Sequence, residues 1–388
     1  MPVNKYAALI TGRSQTFINA LSVKDLAVLD FSTAGHAVYN LGHIGYVDLT
    51  EYHGGAFSAS LDETSLALGC DAALFAAARE IKNKDFSNIF LMPSSLGAVL
   101  GFDLKALAEN LEREVGAAVF YVNLKLDADF FEGAVGFWTA LVKKYAVKRE
   151  KRKNTANILG GFNCLEQKNN HRSIAALLKK TGISVNADNL AMSVQECARL
   201  TSAEFNVVAS RAALDTAEYL KENFGMPYVV FNAMSKKSVD DFLGAAAALT
   251  GKRFSPEPDA VYHDVLTRVA NIVEATGRRV ICFADADTLD KIKDCFNAAG
   301  ADGKYFCSHH GTEYEYIDIN DFVDRYKGSD EIIFTYGEIC RYFQNSAAVA
   351  YSGGGFRLLT PLADAFCGVE GAYRLFEKLS AALVAAKN

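Results

Sequence analysis

Short apolar runs alternate with amphipathic, helix-like segments along the whole chain. Apolar runs at residues 88–93 and 117–122 are typical of buried strands, and residues 103–115 between them have helical spacing. Asp103 is placed as the N-cap of that helix and Gly116 as its stop. Because strands that alternate with helices assemble into parallel sheets, the pattern predicts an α/β fold.

The same plan recurs twice more. A second unit has predicted strands at 156–160, 183–186 and 228–231 and predicted helices at 173–181 and 202–224. After a long predicted helix at 259–276, a third unit has strands at 279–284, 305–308 and 331–335 and helices at 289–299, 319–326 and 371–387. The charged run 148–153 is typical of a solvated linker rather than a nucleic-acid patch, because no aromatic residue accompanies it. We therefore expect three domains, at 1–150, 151–275 and 276–388.

The composition narrows the classes of partner. The chain has 388 residues, half of them hydrophobic, which is enough for a full core in each domain. A net charge of −6 argues against binding to nucleic acid or to an anionic membrane surface. No apolar run approaches the roughly 18 residues of a membrane span, and no signal-peptide pattern is present, so a cytoplasmic protein is expected. The eight cysteines are scattered singly, which is typical of reduced, mostly buried thiols.

Residues 33–71 form the segment that we expect to carry function. The segment is rich in glycine, shows little periodicity and holds His36, His43, His53 and Cys70. Irregular, glycine-rich backbone is costly to order and occurs where a ligand or partner approaches closely. Imidazole and thiolate bind zinc, nickel and iron, so His36, His43 and Cys70 are candidate metal ligands. The alternatives are a structural histidine at a turn and, for Cys70, a small residue at a tight glycine-rich turn.

Two further features could bind ligands. Cys307, His309 and His310 follow a predicted strand, where an α/β sheet places its ligands, but a metal there would lack a fourth ligand. Glycines at 160–161 and 353–355 also follow strands, and their amides could hold an anion. Neither run matches a dinucleotide-binding fingerprint or a phosphate-binding loop, so no nucleotide is expected on this chain.

Eight short segments carry family-specific motifs. They are 42–46 (GHIGY), 60–70, 95–104, 158–163 (ILGGFN), 181–187, 205–232, 278–288 and 368–379. In this order they resemble the nitrogenase component 1 type oxidoreductases, and the acidic turn at Asp285 and Asp287 resembles the β-type subunits. Each match is short, but the ordered set covers nearly the whole chain.

The resemblance implies three Rossmann-like domains with parallel sheets flanked by helices. It also implies metal or tetrapyrrole chemistry in the cleft between the domains, and an iron–sulfur cluster held at a subunit interface by first-domain cysteines. Electrons in this family come from an ATP-hydrolysing iron protein. The expected partners are therefore another component 1 type subunit, in a homo- or hetero-oligomer, and such an iron protein.

The sequence departs from the family at the positions of the cluster ligands. The turn cysteine is replaced by Tyr46, the cysteine before the glycine-aspartate segment by Ser95, and no cysteine precedes Cys70. Cluster irons select thiolates, and a phenol or hydroxyl has to lose a proton with a pKa of about 10 or higher to bind as an anion. The cofactor is therefore unknown, and an iron–sulfur cluster is expected only with ligands from a partner chain.

The candidate cofactor-binding residues are His43, Tyr46, Cys70, Ser95 and Arg211. Arg211 is expected to face the interdomain cleft, the alternative being an ordinary arginine on a helix surface. The resemblance leads us to expect a divergent component 1 subunit that takes part in ATP-dependent, low-potential reduction. The alternatives are a non-redox assembly or carrier protein that binds a metallocofactor or small ligand in the cleft, and a structural subunit that supports a catalytic partner.

Overall fold

Three parallel β-sheets flanked by helices make up the part of the chain that the structure describes. This computed structural model describes residues 5–6, 9–33, 35, 55–92, 95–344, 346–351 and 366–385, without the side chains of residues 95 and 96. Every strand pair within these residues is parallel. The predicted α/β fold, with parallel sheets and covering helices, is confirmed.

The first domain has a four-stranded sheet of order β2-β1-β3-β4. Its strands are β1 (Ala27–Asp30), β2 (Gly55–Ser58), β3 (Asn88–Met92) and β4 (Ala118–Tyr121). Its helices are α1 (Gly12–Ser22), α2 (Glu63–Leu68), α3 (Asp71–Asn83), α4 (Ser95–Leu100), α5 (Leu104–Val115) and α6 (Phe130–Tyr145).

The middle domain has a four-stranded sheet of order β6-β5-β7-β8. Its strands are β5 (Arg152–Leu159), β6 (Ser184–Asp188), β7 (Ala203–Val208) and β8 (Tyr228–Val230). Its helices are α7 (Leu165–Lys180), α8 (Val194–Cys197), α9 (Leu214–Phe224) and α10 (Lys236–Leu249), with short 3₁₀ turns at Leu200–Ser202 and Arg211–Ala213.

The C-terminal domain has a five-stranded sheet of order β11-β10-β9-β12-β13. Its strands are β9 (Val280–Ala284), β10 (Gly303–Cys307), β11 (Glu315–Tyr316), β12 (Ile332–Tyr336) and β13 (Ala347–Tyr351). Its helices are α11 (Ala260–Thr276), α12 (Ala286–Ala299), α13 (Ile319–Tyr326), α14 (Gly337–Cys340) and α15 (Gly368–Ala385). No helix among the described residues is long and apolar enough to cross a membrane. The predicted domain boundaries at residues 150 and 275 stay predictions.

Local capping signals fix several of these helices. The carboxylate of Asp103 accepts hydrogen bonds from the first backbone N–H groups of α5, and Gly116 ends that helix with a left-handed φ of 62°. Asp318 caps α13, which spans the predicted residues 319–326. These helices agree with the prediction because an N-cap acceptor, and in α5 also a C-terminal glycine, acts within a few residues of sequence.

Three sequence-based expectations in the middle domain are wrong. The predicted helix at 202–224 contains strand β7 before α9 begins at Leu214, because the apolar run there is a central strand buried on both faces. Helix α7 begins at Leu165, earlier than predicted, since its first turns bury polar side chains instead of apolar ones. Strand β5 begins at Arg152, so the last residues of the charged run belong to the sheet and not to the linker.

Candidate functional site

The carboxyl ends of the middle and C-terminal sheets meet through polar side chains. Ser210 and Arg211 follow β7, and Asp287 lies in the first turn of α12, directly after β9. The Ser210 hydroxyl and the backbone N–H of Arg211 both donate to the Asp287 carboxylate, the latter over 2.8 Å. In α/β sheets this edge is where ligands bind, so we treat the contact as the candidate site.

Six residues of the two domains meet at this contact. We call them the interdomain polar cluster: Ser210, Arg211, Asn232, Asp287, Asp290 and Glu313.

Arg211 reaches from the middle domain to two carboxylates of the C-terminal domain. Its Nε and Nη2 donate to Asp290, each over 2.9 Å, and its Nη1 and Nη2 donate to Glu313 over 2.7 and 2.6 Å. These hydrogen bonds raise the pKa of the guanidinium above its ordinary value and lower the pKa of Glu313 to about 2. Arg211 thus lies at the interface between the two domains. Its role as a cofactor-binding residue stays a prediction.

Asp287 is an almost fully buried carboxylate at the centre of this cluster. Its side chain is 1% exposed, and Asn232 adds a hydrogen bond of 3.2 Å. Burial is the largest cause that raises its pKa to about 6, and the neighbouring Asp285 adds to this. The hydrogen bonds from Ser210 and from the Arg211 N–H act in the opposite direction.

A second buried charge pair lies on the same face of α12. The Lys291 ammonium is 3.8 Å from the Glu166 carboxylate in the first turn of α7, and both side chains are at most 3% exposed. Burial lowers the pKa of Lys291, but the nearby carboxylates outweigh burial and raise it overall. The middle and C-terminal domains are therefore joined by buried ionic groups as well as by exposed ones.

The glycine turn at 160–161 is occupied by protein groups. The Gly160 N–H donates to the Asn189 side chain over 2.7 Å, and the Gly161 carbonyl accepts from Trp138 and Asn19 over 2.8 and 2.9 Å. A Cβ at Gly161 would come within 2.6 Å of the Ser210 hydroxyl. The turn serves close packing against β7, and a phosphate would have to displace these bonds.

The candidate metal ligands of the first domain fall mostly outside the described residues. His36, His43 and Tyr46 lie there, as does the side chain of Ser95, the first residue of α4. Cys70 is described: it precedes α3 and is 2% exposed within the apolar core of the first domain. Burial raises the pKa of its thiol, which disfavours the thiolate that a metal needs.

The described residues contain no group of three or more His, Cys, Asp or Glu side chains placed to hold a metal ion. The alternative site at 307–310 does not form. The His309 ring accepts a hydrogen bond from Ala286 N–H, lies 3.0 Å from the His310 carbonyl through Nδ1, and stacks on Phe131. His310 stacks on Tyr316 instead. The predictions that His36, His43 and Cys70 bind metal stay predictions.

Two cavities lie beside the elements described above. One, of about 500 Å³, lies between β8 and α10 and is lined by Phe231, Phe242 and Asp290 among others. The other, of about 300 Å³, lies on the first domain and is lined by Gly97, Phe102 and other residues. Both volumes fall within or at the lower end of the usual range for small-molecule sites.

The first domain also exposes large apolar side chains on segments that follow its strands. Leu68 on α2 is 84% exposed, Val99 and Leu100 on α4 are 66% and 50% exposed, and Leu126 after β4 is 49% exposed. Because the strands are parallel, these segments leave the sheet at the same edge. We call this the exposed apolar edge of the first domain.

Sequence reasoning missed most of the interdomain polar cluster. It pointed to the acidic turn at Asp285 and Asp287 and to Arg211, but not to Asp290, Glu313 or the buried Lys291. A signal was present, since Asp287, Asp290 and Asp294 follow each other at spacings of three and four residues, which would place them on one face of a helix.

Comparison with known families identifies the fold. The family model of the nitrogenase component 1 type oxidoreductases matches residues 18–337. The chain belongs to this family. The resemblance that the eight sequence motifs predict is thereby confirmed.

The component 1 type chain is similar to two curated proteins over about half of its length. One subunit of the light-independent protochlorophyllide reductase from Heliobacterium modesticaldum is 27% identical over 211 residues, which are 51% of this chain and 40% of that protein. The same subunit from Chlorobium phaeobacteroides is 28% identical over 218 residues, 50% of this chain and 41% of that protein. The matched region therefore spans less than half the length of these relatives.

Solved structures of nitrogenase Cp1 share the fold of the whole component 1 type chain. The structure at pH 6.5 superposes with a TM-score of 0.79, covering 99% of this chain and 94% of that one. The structure at pH 5 superposes with a TM-score of 0.69, covering 98% and 92%. The sequence identity is 14% in both cases, so the likeness concerns the fold alone.

Proposed function

We propose that this chain is a component 1 type subunit that takes part in ATP-dependent, low-potential reduction together with an iron-protein partner, in the cytoplasm. In this proposal, iron–sulfur ligands come largely from another chain, because Tyr46 and Ser95 stand where the family has cysteines. The family membership and the similarity to one subunit of the light-independent protochlorophyllide reductases support it.

The observation that carries the proposal is the exposed apolar edge of the first domain. Four large apolar side chains, between 49% and 84% exposed, lie on segments that leave one edge of the sheet, and covering them with another surface would be favourable. In the family, the first domain is the part that meets a partner subunit. A second component 1 type subunit, identical or different, is therefore the partner that we expect to cover the exposed apolar edge.

The test is anaerobic co-purification of the chain with the component 1 type subunit and iron protein of the same organism. We expect a stable complex that contains iron and sulfide. With reduced methyl viologen as the electron donor, the iron protein should reduce the iron–sulfur cluster of the complex, which is the electron acceptor, only when ATP is present. Leu100→Glu should weaken the complex by about 10- to 100-fold, since burying a leucine is worth about 1.5–3 kcal/mol. Leu249→Glu is the matched control, because Leu249 is a similarly exposed helix residue of the middle domain at 38%.

A complex that forms but contains no iron and shows no ATP-dependent electron flow contradicts the redox role. It supports the second candidate, a non-redox assembly or carrier protein. The observation in favour of that candidate is the cavity of about 500 Å³ beside Asp290, together with a first-domain thiol, Cys70, that lies inside an apolar core. Failure of Leu100→Glu to affect the complex contradicts the proposed interface separately.

A further inference from the structure

The first and middle domains share one apolar core. Phe17 and Trp138 of the first domain and Leu200 and Leu220 of the middle domain belong to the same cluster of buried apolar side chains. An apolar interface of this kind is stable because separation would expose all of that surface to water. The two domains are therefore expected to move as one body.

The middle and C-terminal domains meet at a polar helix face and, beside it, at the start of α15, where the Gly368 N–H donates to the Ala233 carbonyl over 2.8 Å. Asp287, Asp290, Lys291 and Asp294 of α12 all contact the middle domain, at the ends of β7 and β8 and at the beginnings of α7 and α10. These contacts are hydrogen bonds and ion pairs. The groups that make them regain water when they separate, so such an interface adds little net stability compared with an apolar one.

Asp294 holds the N-terminus of α10 from the neighbouring domain. Its carboxylate accepts from the backbone N–H of Met234 over 2.9 Å and of Ser235, and from the hydroxyls of Ser235 and Ser238 over 3.0 and 2.8 Å. The positive end of the helix dipole also favours a carboxylate at this position. The contact orients α10 relative to α12 without apolar burial.

A few apolar side chains also cross the interface, and Val369 of α15 packs against the apolar cores of both domains. Met234 packs into the apolar core of the C-terminal domain, and Cys367 packs into that of the middle domain. Cys367 is 3% exposed, and its thiol lies 3.6 Å from the Asn170 carbonyl of α7. Solvent can reach this thiol only when the two domains separate locally or when the protein unfolds.

The chain between α10 and α11 connects the two domains without regular structure. Residues 251–259 contain neither helix nor strand, and they include Pro256 and Pro258. Helix α11 beyond them packs on α12 and α15 of the C-terminal domain. A change of backbone angles in this segment would move the C-terminal domain without disturbing either sheet.

We propose that the C-terminal domain is a hinged lid on the middle domain, held closed by the polar face of α12 and pivoting at residues 251–259. Opening exposes the groups that the closed interface buries at the sheet ends, among them Ser210, Glu166 and Lys291. The first and middle domains stay together during this motion, and the contacts of the first domain with the C-terminal domain, among them Phe131 with His309 and Tyr6 with Asp324, separate along with the interface.

The alkylation rates of two cysteines test the lid. Cys367 reports opening, and Cys282, fully buried in β9, reports unfolding of the C-terminal domain. We expect N-ethylmaleimide to modify Cys367 faster than Cys282 in the native wild type, as measured by mass spectrometry of peptides. Raising the NaCl concentration to 1 M should accelerate the alkylation of Cys367 and leave that of Cys282 unchanged, since salt screens the partly exposed ion pairs of Arg211.

Asp290→Asn should accelerate the modification of Cys367 by about 10- to 100-fold and leave Cys282 unchanged, because each hydrogen bond to a charged group is worth about 1.5–3 kcal/mol. Asp241→Asn is the matched control: it removes the same charge from an exposed pair with Lys237 on α10 and should change neither rate by more than about twofold. Equal rates for the two cysteines in the wild type overturn the proposal, as does an unchanged Cys367 rate in Asp290→Asn. If Asp290→Asn does not fold, the salt series decides, and a Cys367 rate independent of NaCl overturns the lid.

Discussion

Replacing Asp287 by asparagine tests whether a single buried carboxylate makes the stability of this protein depend on pH. Burial raises the pKa of Asp287 from 3.8 to about 6. When folding raises the pKa of an acid, that acid stabilises the folded state fully at pH values below its pKa in the unfolded chain. The contribution is lost as the pH rises through its pKa in the folded protein. A shift of about 2 units at 1.36 kcal/mol per unit gives about 3 kcal/mol, lost between about pH 4 and pH 7.

Asparagine removes the titration and keeps an oxygen that can accept from Ser210 and from the Arg211 N–H. We therefore expect the free energy of unfolding of Asp287→Asn, relative to wild type, to rise by about 2–3 kcal/mol between pH 4.5 and pH 7.5. Urea titrations at several pH values in this range measure it. The pKa of Glu313 is lowered to about 2, so its contribution is present above 4.5 and is lost only as pH falls below that value. The two effects therefore act in separate pH ranges.

Asp264→Asn is the control for the loss of one negative charge. Asp264 forms an exposed ion pair with Arg268 on α11, of the kind that contributes little to stability. The free energy of unfolding of Asp264→Asn should stay within about 0.5 kcal/mol of the wild-type value across the same pH range. A difference for Asp287→Asn that is equally independent of pH would refute the reasoning, because it would mean that the carboxylate is not kept from water at the interface.

Two further substitutions test close packing and the thiol of the first domain. Gly161→Ala should lower the free energy of unfolding by about 1–3 kcal/mol through the clash with Ser210. Gly244→Ala, on α10, places its Cβ where nothing lies within 4 Å and should raise the free energy of unfolding by about 0.5–1 kcal/mol. Urea titrations of both variants measure these changes. Cys70→Ala should lower it by about 1 kcal/mol and leave the iron content of the anaerobic complex unchanged, as for a core residue; loss of iron in that complex would instead identify Cys70 as a ligand.

The elements that the sequence predicts well are those whose signals are local. Helices α5 and α13 agree with the prediction because a capping aspartate stands directly before each of them. The strands of the C-terminal domain are short apolar runs between polar turns, and β9 and β12 lie within one or two residues of the predicted ranges. In each case the determining residues are neighbours in sequence.

The elements that the sequence fails to predict depend on distant partners. Strand β7 lies at the start of the segment 202–224, which is long enough for a single helix. It forms a strand because β5 and β8 flank it. The first turns of α7 carry Glu166, Gln167 and Lys168, which are typical of a surface in sequence but are buried in the structure, Glu166 beside Lys291 of the C-terminal domain. No pattern within a window of about 15 residues can distinguish these cases.

The same limit applies to the candidate site. The spacing of Asp287, Asp290 and Asp294 could have indicated one acidic helix face, but not that Arg211 and the N-terminus of α10 lie against it. Those contacts arise from the arrangement of two domains and not from local sequence. The family resemblance predicted a cleft between the domains. Hydrogen bonds between the two sheets fill the part of it at the ends of β7 and β9, and the cavity beside Asp290 stays open.

This filling bears on where a cofactor could be held. A ligand between the ends of β7 and β9 would have to displace the bonds from Ser210 and Arg211 to Asp287, and would leave a buried carboxylate without donors. The exposed apolar edge of the first domain, in contrast, gains from being covered. A cluster or substrate held between two subunits therefore disturbs fewer contacts of the described residues than one held between the middle and C-terminal domains. For this reason the proposed reduction is expected at a subunit interface, and a ligand between the ends of β7 and β9 would require the lid to open first.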